Sequence, residues 1–135
     1  MKLLLDINVL LDVLLQREPW AESAAHLLTK IERGEASGFV AGHTLTTIHY
    51  IVSRARDRHS AAAAISDLLR FLDVVPVEKV DFSQALVLPI DDFEDAVQGA
   101  AALKIGVDYV VTRDEAGFRA LSIPSVNPGE ILSLL

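Results

Sequence analysis

A single α/β domain, with a mostly parallel sheet and helices on both faces, is what this sequence predicts, and three observations carry the prediction. Short apolar runs alternate with segments of helical periodicity along all 135 residues. The first run, Leu3, Leu4 and Leu5, is apolar without alternation, as in a strand covered on both faces. No linker, repeat or low-complexity segment breaks the pattern, and 51% hydrophobic residues suffice for one full core.

The elements follow in order. Residues 2–6 form the first strand, and two helices are expected over about 7–15 and 20–33, with Pro19 in a first helical turn and Gly34 as a stop. "SGFVA" (37–41) is the second strand. "TLTTIHYIVSRAR" (44–56) places Leu45, Ile48, Ile51 and Val52 at helical spacing, and "SAAAAISDLLRFL" (60–72) is a further helix with Ser60 as its expected N-cap. "DVVPV" (73–77) is the third strand, and Pro76 suits an edge. Residues 81–88 form a short helix ended by Pro89. "DDFEDAVQGAAALKIG" (91–106) opens on acids and stops at a glycine, as the helix dipole favours. "DYVVT" (108–112) is the fourth strand and "IPSV" (123–126) a weaker fifth, before a last short helix from Asn127 and Pro128.

Composition narrows the functional classes. The net charge of −7 argues against a protein that coats nucleic acid by bulk electrostatics, though not against one that cuts it. Carboxylates gathered to hold cations make the formal charge more negative than the working charge. Without cysteine there is no disulfide and no thiolate zinc site, which suits the cytoplasm. No uncharged stretch approaches a membrane span, and Asp6 breaks the first apolar run too early for a signal peptide. The mean hydropathy of +0.36 leaves apolar surface for a partner.

Asp6 stands at the mouth of the core, where an unpaired carboxylate costs several kcal/mol. It either caps the next helix or binds something that offsets its charge. Asp114 lies just past the fourth strand, so the two share a rim if their strands are neighbours where the strand order reverses. Asp92 and Asp95 are three apart on a helix and Asp91 and Asp95 four apart, so either pair shares a face. Three or four hard oxygen ligands in one crevice suit Mg²⁺ or Mn²⁺. Asp108, at the start of its strand, belongs to the opposite rim, and Asp12, two turns beyond Asp6, is expected in solvent.

"LLDINVLLD" resembles the opening of PIN-domain proteins, and "DFEDAVQGAAALKIGVDYVVTRDEAGF" resembles their second half. The likeness covers nearly the whole chain. It implies a three-layer fold with strand order 3-2-1-4-5 and Mg²⁺- or Mn²⁺-dependent phosphodiester hydrolysis. It makes Asp6, Asp95 and Asp114 the metal ligands and catalytic residues, with Asn8 and Thr112 supporting them through hydrogen bonds. Many PIN proteins are VapC-type toxins, so RNA as substrate, a small antitoxin as partner and a homodimer are implied as well. In one respect the chain departs from the pattern. Thr47 stands where the family usually has a glutamate after the second strand, and no acid occurs between Glu35 and Asp57. A neutral hydroxyl cannot offset a cation's charge as a carboxylate does, so a second metal is expected to bind weakly. Asp92, one turn before Asp95, is the expected substitute and metal ligand. Glu94 is expected to point elsewhere, and Glu115 is another candidate.

Other features compete for a functional role. Arg54, Arg56 and Arg58 gather at a helix end, either solvated or gripping an RNA backbone. Arg113, beside Asp114, is the better-placed contact for a phosphate. His43 and His49, six apart, do not share a face and make a poor zinc pair. Trp20 and the leucines of the second helix read most simply as core. Two alternatives to a nuclease remain: a PIN-fold module that binds RNA or protein with weak or no cleavage, and an aspartyl phosphatase with Asp6 as nucleophile. The acids at 91–95 precede Thr112 in the chain, the wrong order for the phosphatase.

Overall fold

A computed structural model describes residues 1–135. Five parallel strands form one sheet in the order β3-β2-β1-β4-β5. They are β1 (Lys2–Leu5), β2 (Ser37–Ala41), β3 (Asp73–Val75), β4 (Tyr109–Val111) and β5 (Ser125–Val126). Period-two alternation decides which side of the sheet each residue serves. Leu3 and Leu5 enter a core of 19 buried residues shared with α1 (Ile7–Leu14), α2 (Ala21–Glu32), α3 (Gly42–Ala55), α4 (Arg58–Leu69) and α8 (Pro128–Leu134). Leu4 points the other way, into 13 buried residues shared with α5 (Lys79–Val87), α6 (Phe93–Ile105) and α7 (Glu115–Phe118). The strand order and the three layers are those expected. β3 is an edge that ends one residue before Pro76.

Some boundaries differ from expectation for local reasons. α4 starts at Arg58 because Asp57, not Ser60, is its N-cap: the Asp57 carboxylate accepts the Ser60 N–H at 2.7 Å. Pro19 precedes α2, which begins at Ala21. α7 has only four residues, too short for a periodic signal. α6 ends as anticipated at Gly106, whose φ of +64° is cheap for glycine alone.

The chain runs from β1 outward to β2 and β3, then crosses the sheet to β4. The order therefore reverses between β1 and β4, which pair with Leu5 opposite Val111. One residue further along each strand, Asp6 and Thr112 face each other at the carboxyl rim.

Candidate functional site

Asp6 occupies the N-cap position of α1, yet its side chain makes no cap bond. It is 2% exposed, and both oxygens are held: Gln98 Nε2 donates to Oδ1 at 2.9 Å and Thr112 Oγ1 to Oδ2 at 2.9 Å. Burial pushes its carboxyl above the usual carboxylate range, against the downward pull of these two bonds. Thr112 Oγ1 also accepts the Asp114 N–H at 3.0 Å, which ties the β4–α7 turn to the end of β1.

Asp95 reaches the same place from α6. Gln98, one turn on, bridges the two acids: its Nε2 also donates to Asp95 Oδ1 at 3.3 Å, while its Oε1 accepts the Ile7 N–H at 3.1 Å. The Asp95 carboxyl is pushed up to about 7, first by burial and then by the charges of Asp6, Asp92, Asp114 and Glu94. Asp114 is exposed and caps α7, accepting the Gly117 N–H at 3.3 Å. Glycine leaves room for this cap, since a Cβ on Gly117 would meet Asp114 Oδ2 at 2.9 Å and push the carboxylate aside. Asp91, Asp92, Asp95 and Asp114 line a crevice of about 240 Å³. Asp92 Oδ1 accepts the Asp95 N–H at 3.0 Å, so the N-cap of α6 takes one of its oxygens.

Glu94 does point to a different side of α6 from Asp95, toward α3. The start of α6 lies against α3, so Thr47 Oγ1 donates to Glu94 Oε2 at 3.3 Å and His43 Nε2 meets the Glu94 carbonyl at 3.3 Å. Burial raises the Glu94 carboxyl, Thr47 opposes the rise, and Asp92 and Asp6 add to it. Several expectations need correction. Glu115 faces Glu130 instead of the crevice. The half-buried Asn8 side chain makes no hydrogen bond. Arg54, Arg56 and Arg58 lie at and beyond the far end of α3, whose 14 residues span about 20 Å, so they do not meet the crevice. Arg54 instead lies over the Tyr50 ring, 5.7 Å from its centroid.

Arg113 is committed elsewhere. Its Nε donates to Asp12 Oδ2 at 2.9 Å, and its guanidinium lies 3.9 Å from the centroid of the Trp20 ring. Asp12 is thus 1% exposed rather than solvated, while Trp20, assigned to the core by its sequence, is 41% exposed. Arg17 stands further from Asp12, at 3.9 Å. Arg113→Met should lower stability by about 2 kcal/mol, less than the roughly 3–5 kcal/mol of a broken buried pair, because Arg17 remains. That is a fall in Tm of about 7 °C. An unchanged melting curve would mean that Asp12 does not depend on the pair.

Asp6, Asp92, Glu94, Asp95 and Asp114 therefore form one group of five carboxylates, the charges of the other four raising the Asp95 carboxyl. None is in a salt bridge. As they stand, no three His, Asp or Glu side chains form a closed metal-ligand group. The donor set nevertheless fits a hard divalent cation, being all oxygen, anchored on the buried Asp6 and the half-buried Asp95, and in no salt bridge with any Lys or Arg. Sequence reasoning missed Gln98, although a polar residue one turn from Asp95 in an alanine-rich buried helix is a visible signal.

A PIN-domain family profile matches residues 2–116 of the chain. No curated protein matches it in sequence. Among solved structures, VapBC2 from Rickettsia felis bound to a DNA fragment from its promoter superposes with a TM-score of 0.74 at 15% identity, covering 94% of this chain and 98% of that one. A toxin–antitoxin complex from Klebsiella pneumoniae gives 0.68 at 17%, covering 93% and 96%. The Mycobacterium tuberculosis VapC toxin that cleaves the sarcin-ricin loop gives 0.66 at 16%, covering 80% and 86%. At these identities the likeness is one of fold.

Proposed function

The chain belongs to the PIN-domain family, and from that premise we propose that it is a divalent-metal-dependent endoribonuclease, the toxin of a VapBC-type pair. The carrying observation is the gathering of acids at the carboxyl rim between β1 and β4, where Gln98 bridges Asp6 to Asp95, Asp92 and Asp114 line the same crevice as Asp95, and none of them is in a salt bridge. The sarcin-ricin loop cleavage and the toxin–antitoxin assembly of its fold relatives support RNA as the substrate and a small antitoxin as the partner.

Asp6, Asp95 and Asp114 would hold the cation, with Asp92 beside them. When bound, Mg²⁺ or Mn²⁺ supplies Lewis-acid activation of the attacking water and of the phosphate. The chain's own part is positioning. Gln98 and Thr112 fix both oxygens of Asp6, so its orientation is set before any ligand arrives. Gln98 also sets the spacing of Asp95 from Asp6, and the Thr112 bond to the Asp114 N–H fixes the loop that carries the third acid. The apolar floor of Leu5 and Val111 excludes water from beneath the acids. No histidine or serine nucleophile is required.

Single-stranded RNA should be cut by the purified chain with Mg²⁺ or Mn²⁺, not in EDTA, and again when metal is restored in excess. RNA cleavage that persists in EDTA would overturn the metal-dependent reading. RNA binding without cleavage at any metal concentration would favour a binding module instead.

A further inference from the structure

We propose that Glu94 is a cation-binding carboxylate beside this crevice, supplied by α6 and held in place by Thr47 of α3. The inference rests on the metal-dependent reading above and deepens it. Glu94 is the second residue of α6, about 100° around the helix from Asp95. That turn aims Asp95 at Asp6 and Glu94 at the first turns of α3. There the helix is held at two points, by His43 Nε2 on its backbone carbonyl and by Thr47 Oγ1 on its side chain, both at 3.3 Å.

These contacts orient Glu94 without neutralising it. Thr47 has one hydroxyl proton, and its oxygen also lies 3.4 Å from the His43 carbonyl, so that proton is shared between two acceptors. Glu94 Oε1 has no hydrogen-bond partner in the protein, and no Lys or Arg pairs with the carboxylate. A half-buried carboxylate held at this spot by a shared hydroxyl, with no base to pair it, offers a free oxygen to a cation. Asp92 is a weaker substitute for the acid missing at position 47, because one of its oxygens caps α6. In this arrangement Thr47 is a positioning residue: small enough to leave room for the Glu94 side chain, and polar enough to aim it.

Mn²⁺ titration calorimetry on the full-length chain tests this, with RNA cleavage measured in parallel and metal-free melting curves to check folding. Glu94→Gln keeps the shape and removes the charge, and should weaken Mn²⁺ binding by roughly tenfold or more. Thr47→Val should weaken it by a few-fold. Thr47→Glu combined with Glu94→Gln returns a carboxylate from the opposite helix and should recover most of the lost affinity. Asp67→Asn, on the exposed face of α4, should match the parent chain. If the parent chain binds Mn²⁺ and Glu94→Gln binds it equally tightly, the role of Glu94 is overturned while the nuclease reading stands. If the parent chain binds no Mn²⁺, both fall.

Discussion

Asp95→Asn should reduce RNA cleavage by about 10³-fold, the scale expected when a central electrostatic contact to the reacting charge is lost. The same substitution should make the metal-free protein more stable. The Asp95 carboxyl is pushed up to about 7, so the fold holds its proton more tightly than the unfolded chain does. Below pH 4 both states are protonated and there is no penalty. As pH rises from about 4 to 7 the unfolded chain has already ionised, and folding must either hold a proton or bring a charge into the crevice. The penalty is complete above pH 7, and asparagine does not incur it. With allowance for solvent screening of a partly exposed group, it amounts to roughly 2 kcal/mol, or about 7 °C in Tm at pH 8 in EDTA. Melting both proteins from pH 4 to 8 should show the gap opening up to pH 7 and then holding. A gap independent of pH would mean that Asp95 is not strained by its neighbours.

Gln98→Leu should be the most damaging single change to stability. Gln98 is fully buried and makes three bonds, to Asp6, to Asp95 and from the Ile7 N–H. Leucine fills the same space but leaves the Ile7 N–H unpaired and strips Asp6 of one of its two donors. Losing a bond to a charged group and orphaning a buried donor together cost about 4 kcal/mol, or about 14 °C in Tm. Cleavage should fall as well, since Asp6 would be free to rotate. Gln98→Glu supplies the informative contrast. It keeps the acceptor for Ile7 but sets a further carboxylate against Asp6 and Asp95, so its stability should fall with rising pH and recover with Mn²⁺. A Gln98→Leu protein that melts with the parent would show that the bridge carries no load.

The sheet was legible in the sequence because its signals are local. Unbroken apolar runs mark strands buried on both faces, and the acids that close them at Asp6 and Asp114 mark the rim. Asp57 was missed as a cap because Ser60 offers the same chemistry three residues later, and only the backbone path chooses between them.

Spacing on a helix tells which residues share a face, but not which neighbour that face meets. The sequence alone determined the fold class, the placing of Asp6 and Asp114 at strand ends, and the closeness of Asp92 to Asp95 at the start of one helix, all consequences of periodicity along the chain; the pairing of β1 with β4 that sets Asp6 opposite Thr112 came from the tertiary structure. Only the tertiary structure decided how α6 is rotated against β1 and α3. That rotation makes Gln98 the bridge between two acids and turns Glu94 toward Thr47. Only the packing of α1 and α2 against the β4–α7 turn decided that Arg113 pairs with Asp12 beneath Trp20 instead of facing a phosphate. A step of one residue turns a helical side chain by about 100°, so a small difference in packing, invisible in the chain, selects which carboxylates share the crevice.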